Sequence, residues 1–393
     1  MRNPRSYIAA GLCILLLFFS FVEIIDAANY ESTDEGFARL VNWMSQHGGQ
    51  VDTRIDVGIS NGVRGIVATA DIEDGSQLLF CPWELIIGST SINNQMNGEA
   101  DMCKVVQDMA DEIRLGTRSL WHPYLDHIEL PRLPAMWDQA AIDELQIIPP
   151  SQDATRHIRW FQQACNGPLD DAAMRALVAF ISRANEVGMT PIYDLLNHHN
   201  GKRNAKLSIV EGGVQLLVVG GPVRKNEQLY LSYGIKTAST MYRDYGFVED
   251  WPSAWNFRSK TGDNFAFVLF PDGVAAINPT GDLLKNIWHS NMSLIEYQAL
   301  VEMHMRNLAL ADLERFVVSA RGHLDGFPTT LKQDDVILED KRISLDNPSL
   351  SASSVDRSSI EDLVSAIQYR SEFKRALNSA MMYADAMGKS LKE

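Results

Sequence analysis

The stretch Asp194-Leu195-Leu196-Asn197-His198 decides how this chain is read, together with two runs downstream of it: Glu227-Gln228-Leu229-Tyr230-Leu231-Ser232-Tyr233-Gly234 and Asp244-Tyr245-Gly246-Phe247. Upstream stand Ser182-Arg183 and, much earlier, Val63-Arg64-Gly65-Ile66-Val67-Ala68. Each run alone has an ordinary explanation. Asp194 can cap a helix, Asn197-His198 can form a turn, Arg183 can be a surface arginine, and Phe247 a core aromatic. Tyr233 or Tyr245 by itself is more often a half-buried strand residue than a catalyst. Their order along one chain carries the information. His198 and His199 do not suggest a metal, because adjacent side chains diverge on a regular element and no third ligand stands at a suitable spacing.

Around these runs the chain changes texture. Gly65 to Ala70 has strand character, Asp74-Gly75 marks a turn, and Gln77 to Cys81 is the expected hairpin partner. A second β block comes later: Lys206 to Val210, a turn at Glu211-Gly212-Gly213, Val214 to Val219, a turn at Gly220-Gly221-Pro222, and Glu227 to Ser232. An antiparallel meander is expected there. Residues 90 to 185 are mainly helical by pattern, with Leu177, Phe180 and Ile181 at helical spacing. After Pro252, Ser293 and Glu296 form a capping box ahead of Leu294, Tyr297, Val301, Met305 and Leu308. A Ser-rich stretch from Asp346 to Ser359 interrupts the helices, and a long one carrying Ile360, Val364, Ile367, Phe373, Leu377 and Met381 follows.

Length and charge bound the rest. At ~150 residues per domain, 393 residues give two or three domains. Hydrophobic residues at 46% and charged residues at 22% describe a globular protein. Asp plus Glu number 50 against 35 Lys plus Arg, a formal charge of −15, which disfavours a nucleic-acid partner and suits a basic protein. No Gly-rich phosphate loop, HExxH, GxSxG or dinucleotide GxGxxG is present. The cysteines Cys13, Cys81, Cys103 and Cys165 are scattered, and with Cys13 in an apolar run the remaining three argue against a full disulfide framework. They leave the redox compartment open.

In this order the runs resemble those of the SET-domain protein methyltransferases, in particular the branch of the Rubisco large-subunit lysine methyltransferase and the actin-histidine methyltransferase. In that branch a GxGxVA hairpin precedes a helical insertion, echoed here by Trp121-His122-Pro123-Tyr124-Leu125 and Leu133-Pro134, and SR, DxxNH, SYG and YGF follow. Phe327-Pro328-Thr329-Thr330-Leu331 and Tyr369-Arg370 are similar to the family's substrate-binding helices. The resemblance implies an α+β fold: a SET β domain over residues 37–250 with a helical insertion near 90–185, then a mostly helical domain over 255–393. It implies S-adenosyl-L-methionine as cofactor and no metal. Arg64, Gly65, Arg183, Asp194, Asn197, His198 and Phe247 would hold the cofactor, and a residue without Cβ at Gly65 would permit close approach. Asn185 and Tyr193 would lie on the substrate side. Tyr233 and Tyr245 would form the catalytic channel, where a hydroxyl orients the acceptor nitrogen and polarises the methyl group through C–H···O contacts.

Two departures accompany the resemblance. Val63 replaces the first glycine of GxG, and His199 replaces the serine of NHS. The implied activity is protein-lysine N-methylation, with histidine as the alternative acceptor and a catalytically silent peptide-binding module as the competing class. A protein substrate and a monomeric enzyme are expected.

At the N-terminus, Arg2 and Arg5 precede an apolar run from Tyr7 to Val22, ended by Glu23 and Asp26, with Ala27-Ala28 as a cleavage site. Residues 1–28 are expected to be a signal peptide or signal anchor sending the chain into the secretory pathway. Membrane attachment through an uncleaved anchor, or a plastid reached by the secretory route, are the alternatives. Asn291-Met292-Ser293 is an N-glycosylation acceptor.

Overall fold

The computed structural model describes residues 34–60, 63–88, 96, 98–148, 153–249, 251–289, 294–345 and 354–392. The expected signal segment and the Asn291-Met292-Ser293 acceptor lie outside the described residues. Asp34 caps helix α1 (Glu35–Gln46) by accepting from the Phe37 amide, and Phe37, Leu40, Trp43 and Met44 bury one face of it. Strand β1 (Gln50–Val51) leads into a hairpin of β2 (Ile55–Ser60) and β3 (Val63–Ala68), registered from Ile55 opposite Ala68 to Ser60 opposite Val63. Strands β4 (Gln77–Pro82) and β5 (Ile87–Gly88) follow.

The expected pairing of Gly65–Ala70 with Gln77–Cys81 is therefore corrected. β3 pairs with β2, while β4 lies between β1 and a later strand, Gly213–Val218. The Asp74-Gly75 turn exists, with Gly75 at φ 77°, but the Gly75 amide donates to Val218 O and steers the chain into another sheet. Turn chemistry identifies a reversal without identifying the strand that receives it.

The middle of the chain is helical as expected: α2 (Glu99–Leu115), α3 (His122–His127), α4 (Gln139–Glu144), α5 (Arg156–Ala164) and α6 (Asp171–Arg183). A disulfide joins Cys103 of α2 to Cys165 at the end of α5, across 62 residues of sequence. Cys81 is a buried thiol. Strands β6 (Gly188–Met189) and β7 (Asn197–His198) come next, then the hairpin β8 (Ala205–Val210) and β9 (Gly213–Val218) around Glu211-Gly212. The four-stranded sheet has the order β1-β4-β9-β8, which leaves β8 at its edge.

The expected third meander strand is also corrected. Only Tyr230–Leu231 forms strand β10, and it pairs in parallel with β7. The preceding residues lie on β3 instead, with Ala68 N donating to Glu227 O and Leu229 N to Ile66 O. Helix α7 (Ala238–Tyr245) closes this part.

Beyond it stands a three-stranded antiparallel sheet that the sequence reading did not expect: β11 (Ser253–Arg258), β12 (Asn264–Leu269) and β13 (Ala275–Ile277). Alternation of Trp255 with Phe257, and of Phe265 with Phe267, marks its buried side. Helices α8 (Gly281–His289), α9 (Leu294–Arg306), α10 (Leu310–Leu324), α11 (Leu331–Leu345) and α12 (Ser354–Ser390) complete the chain. Tyr297, Val301 and Met305 of α9, and Ile367, Phe373 and Leu377 of α12, are buried at the expected spacings. Ser293 and residues 346–353 of the expected cap and loop lie outside the described residues.

Two apolar cores result. One runs from α1 to β10; the other joins α7, β11–β13 and the last helices to Trp137, Ala141, Leu145 and Ile148 around α4. The insertion thus serves both. A buried ionic cluster ties α4 to α11 and α12 within the second core: Arg370 reaches Asp334 at 2.8 Å and Glu144, and Lys374 reaches Asp334 at 2.5 Å.

Candidate active site

The site forms where three segments cross. The 227–229 segment lies on β3, β10 lies on β7, and the Asn197 side-chain amide donates to Arg64 O at 2.9 Å. A Cβ at Gly65 would stand 2.1 Å from Gln228 Nε2 and 2.4 Å from Asn197 Nδ2. Glycine is required here because two side-chain amides of the same chain fill the space. That differs from the expected reason, direct approach to a cofactor.

Tyr233 is fixed from both ends. Its backbone N–H donates to His198 Nδ1 at 2.9 Å, and its hydroxyl donates to Leu196 O at 2.8 Å. The rings of Tyr233 and His198 stack with centroids 4.9 Å apart and an interplanar angle of 20°. Because Nδ1 accepts, His198 carries its proton on Nε2, which faces the Glu249 carboxylate. Glu249 in turn takes a hydrogen bond from Asn200. On its other side Tyr233 meets Tyr245, centroids 4.8 Å apart. Tyr245 ends α7, where Gly246 at φ 80° provides the left-handed cap, and Phe247 follows edge-on to the Tyr245 ring, centroids 6.4 Å apart.

Burial pushes the Tyr193, Tyr233 and Tyr245 hydroxyls well above the usual phenol range, so all stay neutral. The Tyr233 proton is committed to Leu196 O, so the phenolic oxygen offers lone pairs to anything in front of it. Asp194 is fully buried. Desolvation pushes its carboxyl up to about 6, against the Arg183 guanidinium 3.9 Å away and the Tyr124 hydroxyl that donates to it at 3.1 Å. Its Oδ1 has no hydrogen-bond partner among the described residues.

Two cavities flank the Tyr233–His198 stack. The larger, about 490 Å³, is lined by Arg183, Asn185, Tyr193, Asp194, Tyr233 and Tyr245. The smaller, about 300 Å³, is lined by Val63, Asn197, His198, Gln228, Phe247 and Trp251. The expected cofactor set is therefore divided: Arg183 and Asp194 stand with the tyrosines, Asn197, His198 and Phe247 in the smaller cavity. Arg64 lines neither. Its guanidinium is spent on Asp34 at 2.8 Å, His127 at 3.0 Å and Glu129 at 3.8 Å. Asn185 has its Oδ1 on Val187 N and its Nδ2 on Thr190 Oγ1. His199 also lines the smaller cavity, edge-on to Tyr230 and Trp251, and desolvation lowers it to about 4.

Sequence reasoning missed Gln228, Glu249 and Tyr124 as parts of this site. Gln228 and Glu249 adjoin the SYG and YGF runs, but nothing in the chain marks them as partners of Gly65 and His198.

No family model matches this chain, and no curated protein does either. Solved structures do. It is similar to the crystal structure of the SET domain of LSMT bound to lysine and AdoHcy, with a TM-score of 0.55 and 17% identity over 92% of this chain and 93% of that one. Rubisco LSMT bound to sinefungin and monomethyllysine gives a TM-score of 0.55 and 16% identity, over 91% and 92%. Rubisco LSMT bound to AdoMet gives 0.55 and 15%, over 91% and 92%. At such identities the likeness concerns architecture, and it extends along both chains almost completely: this α+β chain has the fold of the Rubisco LSMT SET-domain structures.

Proposed function

We propose that the chain is an S-adenosylmethionine-dependent protein N-methyltransferase acting on lysine. The observation that carries the reading is the pair of cavities meeting at the Tyr233–His198 stack, with Tyr245 as the facing wall. One partition with a ligand space on each side suits group transfer between a cofactor and an acceptor.

The smaller cavity fits the nucleoside end of such a cofactor. Phe247 and Trp251 provide aromatic faces, Asn197 a polar edge, and the buried Gln228 Nε2 is an N–H donor without a partner among the described residues. Arg183, in the larger cavity, donates from Nη1 to Asp194 O and from Nη2 to Glu129 O; its Nε, without a partner among the described residues, would be left for the cofactor's carboxylate. The bound group supplies a methyl on a sulfonium, so no metal is required. The chain's own residues do the rest. Tyr233 presents its oxygen lone pairs to the acceptor, and His198 holds Tyr233 in place through the 2.9 Å hydrogen bond. Burial between Tyr193, Tyr233 and Tyr245 favours the neutral amine over the ammonium, and only the neutral amine has a lone pair to attack with.

Histidine is the second acceptor reading, favoured by Asn185, because in the resembled branch histidine-modifying relatives carry asparagine at this position and lysine-modifying plant relatives tend to carry an aromatic. Against it, both polar atoms of that side chain close the 185–190 turn. The LSMT structures bound to lysine and monomethyllysine support the lysine reading. A silent binding module is the competing class, since Val63 lies in the smaller cavity. Calorimetry with S-adenosylmethionine separates them: saturable binding that weakens about tenfold in Phe247→Ala supports the enzyme. No heat at millimolar cofactor supports the module.

We also infer that the protein enters the secretory pathway. The Arg2, Arg5 and Tyr7–Val22 pattern supports this, as does the Cys103–Cys165 disulfide, since such bonds persist in oxidising compartments. Among the described residues no helix is long and apolar enough to cross a membrane.

A further inference from the structure

The larger cavity differs in charge from the molecule around it. The chain carries 50 acidic against 35 basic side chains, and its arginines are for the most part paired: Arg64, Arg132, Arg243 and Arg370 each meet carboxylates. The wall of the 490 Å³ cavity reverses this. Arg203, Lys206 and Lys236 line it together, and no carboxylate of a described residue ion-pairs with any of them. Lys236 Nζ stands 5.8 Å from the centre of the Tyr245 ring, which puts one of these charges beside the aromatic channel. Two carboxyl residues share the lining: Asp194, at the buried end beside Arg183, and Glu186.

Lys206 also belongs to β8, the edge of the four-stranded sheet, and Ala205, Lys206 and Leu207 all face the cavity. A cleft walled by an edge strand offers backbone hydrogen-bonding groups to an extended segment. We propose that this cleft binds an acidic segment of its protein substrate, with carboxylates next to the acceptor residue met by Arg203, Lys206 and Lys236. The proposal rests on the methyltransferase reading and names its substrate class. It inverts the expectation of a basic partner drawn from net charge. At physiological ionic strength the screening length is about 8 Å, so charges lining the cleft outweigh the distributed negative charge once a segment is in place. Each exposed contact is weak, and selectivity comes from three acting at once.

The test uses fluorescein-labelled peptides with one central lysine flanked by glutamates, glutamines or arginines, titrated by anisotropy against the full chain. Calorimetry with S-adenosylmethionine runs on the same preparation. The expected result is about tenfold tighter binding of the glutamate-flanked peptide than of the glutamine-flanked one, weakening in molar salt, with the order reversed in Arg203→Glu/Lys206→Glu. A thermal melt of that variant shows whether it is folded, and Lys236→Glu alone gives the same direction with smaller size. Equal binding of the three peptides, or preference for arginine flanks, overturns the proposal even when cofactor binding is intact. Glutamate preference without any cofactor binding upholds the acidic cleft and removes the methyltransferase reading instead.

Discussion

Tyr233 and Asp194 illustrate what burial does to two polar side chains a few ångströms from the same cavity. Tyr233 keeps its proton at every physiological pH and gives it to Leu196 O, so Tyr233→Phe removes an acceptor oxygen without changing the ring. We expect turnover to fall about 100-fold while S-adenosylmethionine affinity measured by calorimetry stays within a factor of two or so. Loss of both together would assign Tyr233 to binding. Asp194 has a pH signature. Its carboxyl titrates at about 6 when folded against 3.8 ordinarily, so the folded state holds the proton more tightly. Stability from this group is present below about pH 4 and lost as pH rises through 6, about 3 kcal/mol in all. Asp194→Asn should therefore gain stability relative to the parent chain between pH 4 and pH 7, measured by urea unfolding at each pH. A pH-independent difference would contradict the assignment. Asp244 does not confuse that window: burial works to raise its carboxyl, but His157 and Arg243 hold it down to about 2. These residues were legible to different degrees. The structure sets Tyr233 and Tyr245 together on the larger cavity and Asn197 on the smaller, whereas Arg64 lines neither, its guanidinium paired with Asp34 and Glu129.

At the scale of elements, the sequence showed runs better than pairings. The β8–β9 hairpin and the apolar faces of α9 and α12 follow from local spacing, which needs no knowledge of distant chain. The β2–β3 and β7–β10 pairs join stretches close in sequence yet escape the turn signals, whereas the seating of β3 against Asn197 and residues 227–229 depends on contacts more than a hundred positions apart. The β11–β13 sheet was readable in its alternating aromatics and was overlooked beside the stronger helical signals. Two predictions belong to connections between elements. Asp334→Asn leaves Arg370 and Lys374 buried with Glu144 alone to balance them, and should cost about 3–5 kcal/mol in urea unfolding. A loss under 1 kcal/mol would show that the cluster does not hold α11 and α12 together. The Cys103–Cys165 bond closes 62 residues of insertion, for which chain entropy gives about 4 kcal/mol. Reductant should lower the unfolding midpoint accordingly, and Cys103→Ser/Cys165→Ser should abolish that sensitivity.

For the whole molecule, two cores share one insertion, and the candidate site lies where strands from both ends of the first core cross. A protein substrate would enter beside β8 and meet Tyr233 and Tyr245. Export into an oxidising compartment would place the enzyme away from the site of cofactor synthesis; N-terminal sequencing of the mature chain checks this, with a start at Ala28 or Asn29 expected and a retained Met1 on a cytosolic protein contradicting it. Methyl transfer to protein nitrogen at Tyr233 is what the proposed function requires. Its most direct test is incubation of the purified chain with methyl-labelled S-adenosylmethionine and an extract of secreted proteins, beside Tyr233→Phe, followed by mass spectrometry of the labelled residues. Label on lysine side chains, about 100-fold above the variant, is the predicted result. Equal label with both proteins, or none with either while the cofactor binds, would contradict it.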